Sequence, residues 1–170
     1  MKLIISALAG ALLSTSVMAA PVPASAQLTI DLEIADTGDA NPARPYVAIW
    51  LENEDNQMAA QWALWTGSQT EWLKDIRTWY RKFGRYQVDS IDGYSSATRA
   101  IGAHSIKPPL TDLAGKPLSQ GQYTLYIEAV REHGGRDLIR QPLQLTQKSQ
   151  QLSLPAQAEL GAITITYQVK

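Results

Sequence analysis

Leu28-Thr29-Ile30-Asp31-Leu32-Glu33-Ile34 decides the fold class. Apolar and polar side chains alternate without a fault, and a period of two places every apolar residue on one face of an extended strand. Reading outward, RPYVAIWLEN (Arg44 to Asn53) is a second strand, introduced by Pro42 and Pro45. Glu52 to Gln57 forms a polar hairpin loop, and AAQWALWT (Ala59 to Thr66) returns as a third strand. Late in the chain QYTLYIEAV (Gln122 to Val130) and AITITYQV (Ala162 to Val169) are rich in β-branched and aromatic residues. DLIRQPLQL (Asp137 to Leu145) and QQLSL (Gln150 to Leu154) are weaker strands between them. Short strands at regular spacing, separated by turn residues, give a mainly β chain folded as an antiparallel sandwich.

One segment breaks the rhythm. In EWLKDIRTWYRKF, Trp72, Ile76, Trp79, Tyr80 and Phe83 recur at helical spacing, which predicts one amphipathic α-helix over about residues 69–83. Ser68 and Glu71 form a capping box and Gly84 a C′ stop. Lys74, Arg77, Arg81 and Arg85 make the opposite face basic. The apolar face is expected to close over one end or side of the sheet, and Gln87 to Pro109 to be mostly loop.

Lys2, the apolar run Leu3 to Leu13 and the small-residue site Ala24-Ser25-Ala26 have the layout of an export leader. Residues 1–26 are therefore expected to be a cleaved signal peptide and 27–170 a single domain. A cut near Ala19 or Ala20 is the alternative, disfavoured by Pro21. The apolar run is too short to span a bilayer, and no later run is long enough. The chain is expected to be periplasmic, soluble and not membrane-spanning. Losing residues 1–26 removes only Lys2 among the charges, leaving 14 basic against 16 acidic side chains. That balance argues against nucleic acid as a partner. With no cysteine, thiol catalysis, Fe–S clusters and thiolate haem ligation are excluded.

The stretch DGYSSATR, Asp92 to Arg99, carries the functional signal. Asp-Gly and Ser-Ser are also ordinary turn chemistry. The pattern resembles the acceptor motif of exported bacterial flavoproteins, Asp-Gly-x-Ser-Gly-Ala-Thr, in which a flavin transferase esterifies the threonine hydroxyl with the phosphate of FMN. The resemblance implies covalent FMN at Thr98, with Asp92 and Gly93 part of what the transferase meets. Ser95 and Ala97 match the motif, Ala97 leaving the hydroxyl unobstructed. Ser96 departs from it, and a serine forced to φ > 0 there would cost roughly 1 kcal/mol. Trp79, Tyr80, Tyr86 and Tyr94 are candidates to stack on the ring. Arg99, Arg77 and Arg81 are candidates to neutralise phosphate or an anionic reduced flavin. Each of these aromatic residues also reads as core, and each cation as solvated helix face.

RPYVAIWLE, ALW, WLKDIRTWYRKF, SSATR and GQYTLYIEAVREHGG, in order from about Ala43 to Arg136, are similar to the periplasmic domain-of-unknown-function 2271 family. Separately, DLAGKPLSQGQYTLYIEA resembles the immunoglobulin-like module of the flagellar hook cap. That second resemblance implies an immunoglobulin-like sandwich and no flagellar role. The family resemblance implies the company of flavin transferases and PepSY-type membrane oxidoreductases. The expected function is a periplasmic electron carrier rather than a substrate-turnover enzyme.

Two rivals remain open. His133, in Arg131-Glu132-His133-Gly134-Gly135, and His104 could ligate a metal or haem with a carboxylate such as Glu132, making the domain a flavin-free binding module for metal, haem or a partner protein. Alternatively the basic helix face could dock an accessory subunit on a membrane complex. Hydrolysis has little support, since no Gly-x-Ser-x-Gly elbow is present, and Glu52, Glu54 and Asp55 read as solubilising charge in a hairpin loop.

Overall fold

In the computed structural model, which describes residues 19–40, 42–67, 71–86, 91 and 95–170, the alternation at Leu28 becomes strand β1 (Gln27–Ile34). Its four apolar side chains are buried, while Asp31 and Glu33 face solvent. Eight further strands are β2 (Tyr46–Glu52), β3 (Met58–Trp65), β4 (Ser95–Ser96), β5 (Gly102–Ile106), β6 (Gly121–Val130), β7 (Arg136–Leu145), β8 (Gln150–Leu154) and β9 (Leu160–Gln168). They form a four-stranded sheet ordered β5-β1-β9-β8 and a five-stranded sheet ordered β4-β3-β2-β6-β7. All pairings are antiparallel except the short β3–β4 contact, which is parallel. The sandwich expected from the strand spacing is the architecture found.

The core between the sheets takes alternate residues from both: Leu28, Ile30, Leu32 and Ile34 meet Val47, Ile49 and Leu51 of β2 and Leu125, Ile127 and Ala129 of β6. Strand β2 reads as an unbroken apolar run because its other face is covered too. Ala48 and Trp50 pack there with Leu64, Leu73, Ile76, Trp79, Ile91 and Tyr126. The Trp50 and Tyr126 rings stack at 4.8 Å and 8°. A third layer, the helical segment after β3, makes that second core.

That segment is helical where periodicity places it, but in three pieces rather than one. A 3-10 turn (Glu71–Asp75) leads into α1 (Arg77–Lys82), followed by a second 3-10 turn (Gly84–Tyr86). Ile76 leaves the helix at ψ 72° and offers no side-chain cap. The free N–H groups of Thr78 and Trp79 instead donate to the Glu128 carboxylate on β6, at 3.0 and 2.9 Å. The cap therefore comes from a neighbouring strand. Ser68, assigned to a capping box, lies outside the described residues. Gly84 is not a left-handed stop: a Cβ on it would lie 2.4 Å from the Trp79 ring, so glycine is required for close approach.

Two other expectations are refined or changed. The described part of Gln87 to Pro109 is mostly loop, as expected, but it also holds two short strands that were not foreseen, β4 added to β3 and β5 added to the edge of β1. Gly-Ala-His-Ser-Ile is too poor in apolar residues to announce β5, whose formation depends on the edge that β1 offers. Glu52 is not solubilising loop charge. It ends β2, only 1% exposed, and accepts from the Trp50 indole N–H at 2.8 Å and from Lys82 at 2.6 Å. Trp50 lies two residues back on the same face, so the strand period brings the two side chains together. Glu54 and Asp55 are exposed in the turn, as expected.

Residues 20–26 belong to the folded body. Gln120 N–H donates to Ala20 O at 2.6 Å, and Val22 N–H to Leu118 O at 2.8 Å. The Val22 side chain joins the inter-sheet core at 7% exposure. Burying a valine stabilises by roughly 1.5–3 kcal/mol.

Candidate functional site

The described half of the acceptor stretch begins as a strand. Ser95 and Ser96 pair in parallel with Leu64 and Trp65, and Ser96 O accepts from the N–H groups of Thr66 and Gly67 at 3.0 and 2.9 Å. Ser96 has no positive φ, so a serine in place of glycine costs nothing in backbone strain. Asp92, Gly93 and Tyr94 lie outside the described residues.

After β4 the chain crosses from the five-stranded sheet to the four-stranded one, and Thr98 lies midway on this crossing. Ser96 and Ala97 are exposed, Ser95 and Thr98 half-buried, and Arg99 exposed. The Thr98 hydroxyl makes no hydrogen bond to a described residue. Two contacts hold the crossing down. The Arg99 guanidinium sits 5.4 Å over the Trp65 ring, and His104 Nε2 lies 2.7 Å from Ala100 O. His104 also meets Trp65 edge-on at 5.8 Å. Trp65 is 3% exposed, so it anchors the segment and presents no free face. Gly102 turns the chain into β5 at φ 114°, a conformation that a side chain would strain.

Beyond the crossing lies a shallow groove of about 330 Å³, lined by Pro42, Arg44, Pro45, Ala100, Ile101 and Arg131. Arg131 also lines a second groove of about 520 Å³, between the helical segment and the β6–β7 turn, whose other walls include Tyr46, Trp72, Arg77, Glu132 and His133. Volumes of this size suit small molecules. Burial raises the Tyr46 pKa above its ordinary value, helped by the carboxylates of Glu132, Asp75 and Glu71.

The candidates named from sequence are thus distributed unevenly. Ser95, Ala97, Thr98 and Arg99 lie along β4 and the crossing after it, which His104 fastens at Ala100 O. Trp79 lies in the second core, 3% exposed, its indole N–H donated to Gln61 at 2.7 Å. It has no face to offer a flavin. Tyr80 is half-buried, Tyr86 is exposed under Arg85, and Arg77 and Arg81 lie on the exposed helix face. His133 occupies the β6–β7 turn at φ 55°, its side chain 93% exposed and Nε2 3.7 Å from Glu132. Among the described residues no three His, Cys, Asp or Glu side chains gather as a metal site.

Sequence reasoning missed the pair that shapes this end of the molecule. Arg131 Nε and Glu159 meet at 2.6 Å with both side chains 3% exposed. The guanidinium also donates to Ala35 O at 3.1 Å and to Ala43 O. The two glycines after His133 are explained by this pair. A Cβ on Gly134 would lie 2.8 Å from Arg131, and one on Gly135 2.7 Å from Glu159. The signal was present as an arginine directly after a strongly β segment, followed after two further residues by Gly-Gly.

The model of a family described as predicted periplasmic protein, DUF2271, matches residues 27–162. The chain belongs to this family. Its location is periplasmic on the same ground. The match spans β1 to the start of β9, and so includes the crossing and both grooves. Neither a curated protein nor a solved structure matches the chain. Among the described residues no helix is long and apolar enough to cross a membrane.

Proposed function

We propose that this family member is a periplasmic electron carrier whose FMN is held covalently, through its phosphate, at Thr98. The observation that carries the reading is the position of Thr98: a half-buried hydroxyl, engaged by no described residue, on a short crossing pinned at both ends. A modifying enzyme needs such an accessible hydroxyl on a rigid support. The extended backbone at Ser96 removes the main objection to the motif.

When bound, FMN supplies reversible one- and two-electron transfer at its ring. The residues here would bind and orient it. Arg99 and Arg44 are exposed cations on either side of Ala100, suited to the phosphate diester and to negative charge on a reduced ring. The groove along Ala100, Ile101 and Pro45 gives an apolar bed next to the attachment point, and the Tyr46–Trp72 groove lies beyond Arg131. His133 and Arg77 would stand at its far rim. Trp79 takes no part. The flavin transferase is the modifying partner, and a PepSY-type membrane oxidoreductase is the partner that exchanges electrons.

Co-expressing the exported protein with a flavin transferase tests the reading. The adduct has the composition of FMN joined to the threonine less the elements of water, so intact mass should rise by one FMN less one water, and the denatured band should fluoresce. Thr98→Ala should abolish both signals while Thr111→Ala keeps them. No adduct on the wild-type chain, with a known acceptor modified in parallel, refutes the proposal.

A further inference from the structure

We propose that leader peptidase cuts the exported chain between Ala19 and Ala20, so that the mature protein begins Ala20-Pro21-Val22 and not at Gln27. This inference is independent of any flavin. It starts from what residues 20–26 do in the fold. Ala20 and Pro21 run beside Ser119 and Gln120, joined by the Gln120 N–H to Ala20 O bond, a Pro21–Ser119 bridge and a bond from Gln120 Nε2 to Pro21 O at 2.9 Å. Val22 N–H follows with its bond to Leu118 O, and the Val22 side chain fills the core beside Leu118. The Ala24-Ser25-Ala26 site is folded into a turn closed by Ala26 N–H to Pro23 O at 2.9 Å. Ser25 Oγ is tied to Lys170 O at 2.8 Å.

A cut after Ala26 would discard all of this. Leu118 would lose its core neighbour and the Val22 N–H that its carbonyl accepts, the Ala20 and Pro21 carbonyls that accept from Gln120 would leave with the leader, and Lys170, just past β9, would lose its tie to Ser25. A cut after Ala20 would place Pro21 at the new amino terminus, and the imide bond to proline lacks the N–H that a peptidase ordinarily holds. A cut after Ala19 has neither defect. Ala19 is small at the position before the bond, Val17 is compact two residues earlier, and Pro21 stands one residue past the new terminus. Hydrolysis consumes one water, leaving a carboxylate on Ala19 and an ammonium on Ala20. That ammonium lies at the protein surface, since Ala20 is exposed.

The full chain, with its leader, is expressed in a bacterial host, recovered from the periplasm and analysed by intact mass and by the mass of its amino-terminal peptide. The expected peptide begins with Ala20, and the protein is heavier than a Gln27 start by the seven residues Ala20–Ala26. Ala19→Tyr should leave the precursor unprocessed, and Ala26→Tyr should leave the cut unchanged. A peptide beginning at Gln27 or Pro21, an uncut chain, or a block by Ala26→Tyr and not by Ala19→Tyr overturns the proposal.

Discussion

Removing the Glu128 carboxylate should unfasten the helical layer from the sheet. Glu128 is fully buried on β6 and accepts from Thr78 N–H at 3.0 Å, Trp79 N–H at 2.9 Å and Arg136 Nε at 2.8 Å. Arg136 in turn donates to Thr78 Oγ1 at 2.6 Å. In Glu128→Ala the two backbone donors lose their acceptor inside a region where Thr78 and Trp79 are 4% and 3% exposed. Each unpaired donor costs about 1–3 kcal/mol. Arg136 is 33% exposed and can turn to water, so its share is discounted to well under 1 kcal/mol. The sum is about 2–6 kcal/mol, and at roughly 2–4 °C per kcal/mol for a domain of this size the melting temperature should fall by about 10 °C. Glu128→Gln keeps one acceptor oxygen and should lose about half as much. The assay is thermal unfolding by circular dichroism, with hydrogen exchange at the Thr78 and Trp79 amides. A Glu128→Ala protein that melts within 2 °C of wild type, with unchanged protection at those amides, would refute the idea that this carboxylate caps α1.

Gly84→Ala should force its Cβ into the Trp79 ring, costing about 1–3 kcal/mol by overpacking, and the tryptophan emission of the second core should shift with it. Glu159→Ala should strand the Arg131 guanidinium, 3% exposed, at a cost of about 3–5 kcal/mol, visible as a lowered urea midpoint and early exchange in the β6–β7 turn. Stability should also fall in alkali. Burial raises the pKa of Tyr46, Tyr123 and Tyr167 above 10.0 in the folded chain. Above that pH the unfolded chain releases these protons first, so the folded state binds more protons and loses stability as pH rises, having been fully stabilised below it. Melting temperatures should hold to about pH 10 and then decline, and Tyr46→Phe should reduce the slope. An unchanged slope in that variant would remove Tyr46 from the explanation.

The strands that sequence revealed are those whose burial is decided along their own length. In β1 and β9 one face meets the core and the other meets water, so the alternation is written into residues 28–34 and 162–169. Strand β5 could not be read this way, since Gly102, Ala103 and Ser105 have little strand preference and the edge of β1 supplies the reason to extend. The break at Ile76 was hidden for a related cause. Apolar spacing continues smoothly through Trp72, Ile76 and Trp79, and the residue that ends the first 3-10 turn's claim on the chain is Glu128, about fifty positions away. Periodicity reports which face is apolar; it does not report a cap that arrives from another strand.

The same distinction separates the two kinds of site residue. Thr98 could be proposed from sequence because the acceptor pattern is short and linear, and a transferase would read the chain locally. The packing of the crossing was not legible, because Trp65 of β3, Arg99 of the crossing and His104 of β5 meet only after β4 and β5 form. Trp79 shows the converse error. Its aromatic character and its nearness in sequence to the acceptor stretch suggested stacking on a cofactor. Gln61 takes its indole N–H, and Gly84 admits its ring to the core. An aromatic residue on a helix that covers a sheet is spent on that covering. A cofactor held at Thr98 must therefore find its surroundings on the crossing between the sheets and in the grooves beside Arg44 and Tyr46, where the fold leaves side chains partly exposed.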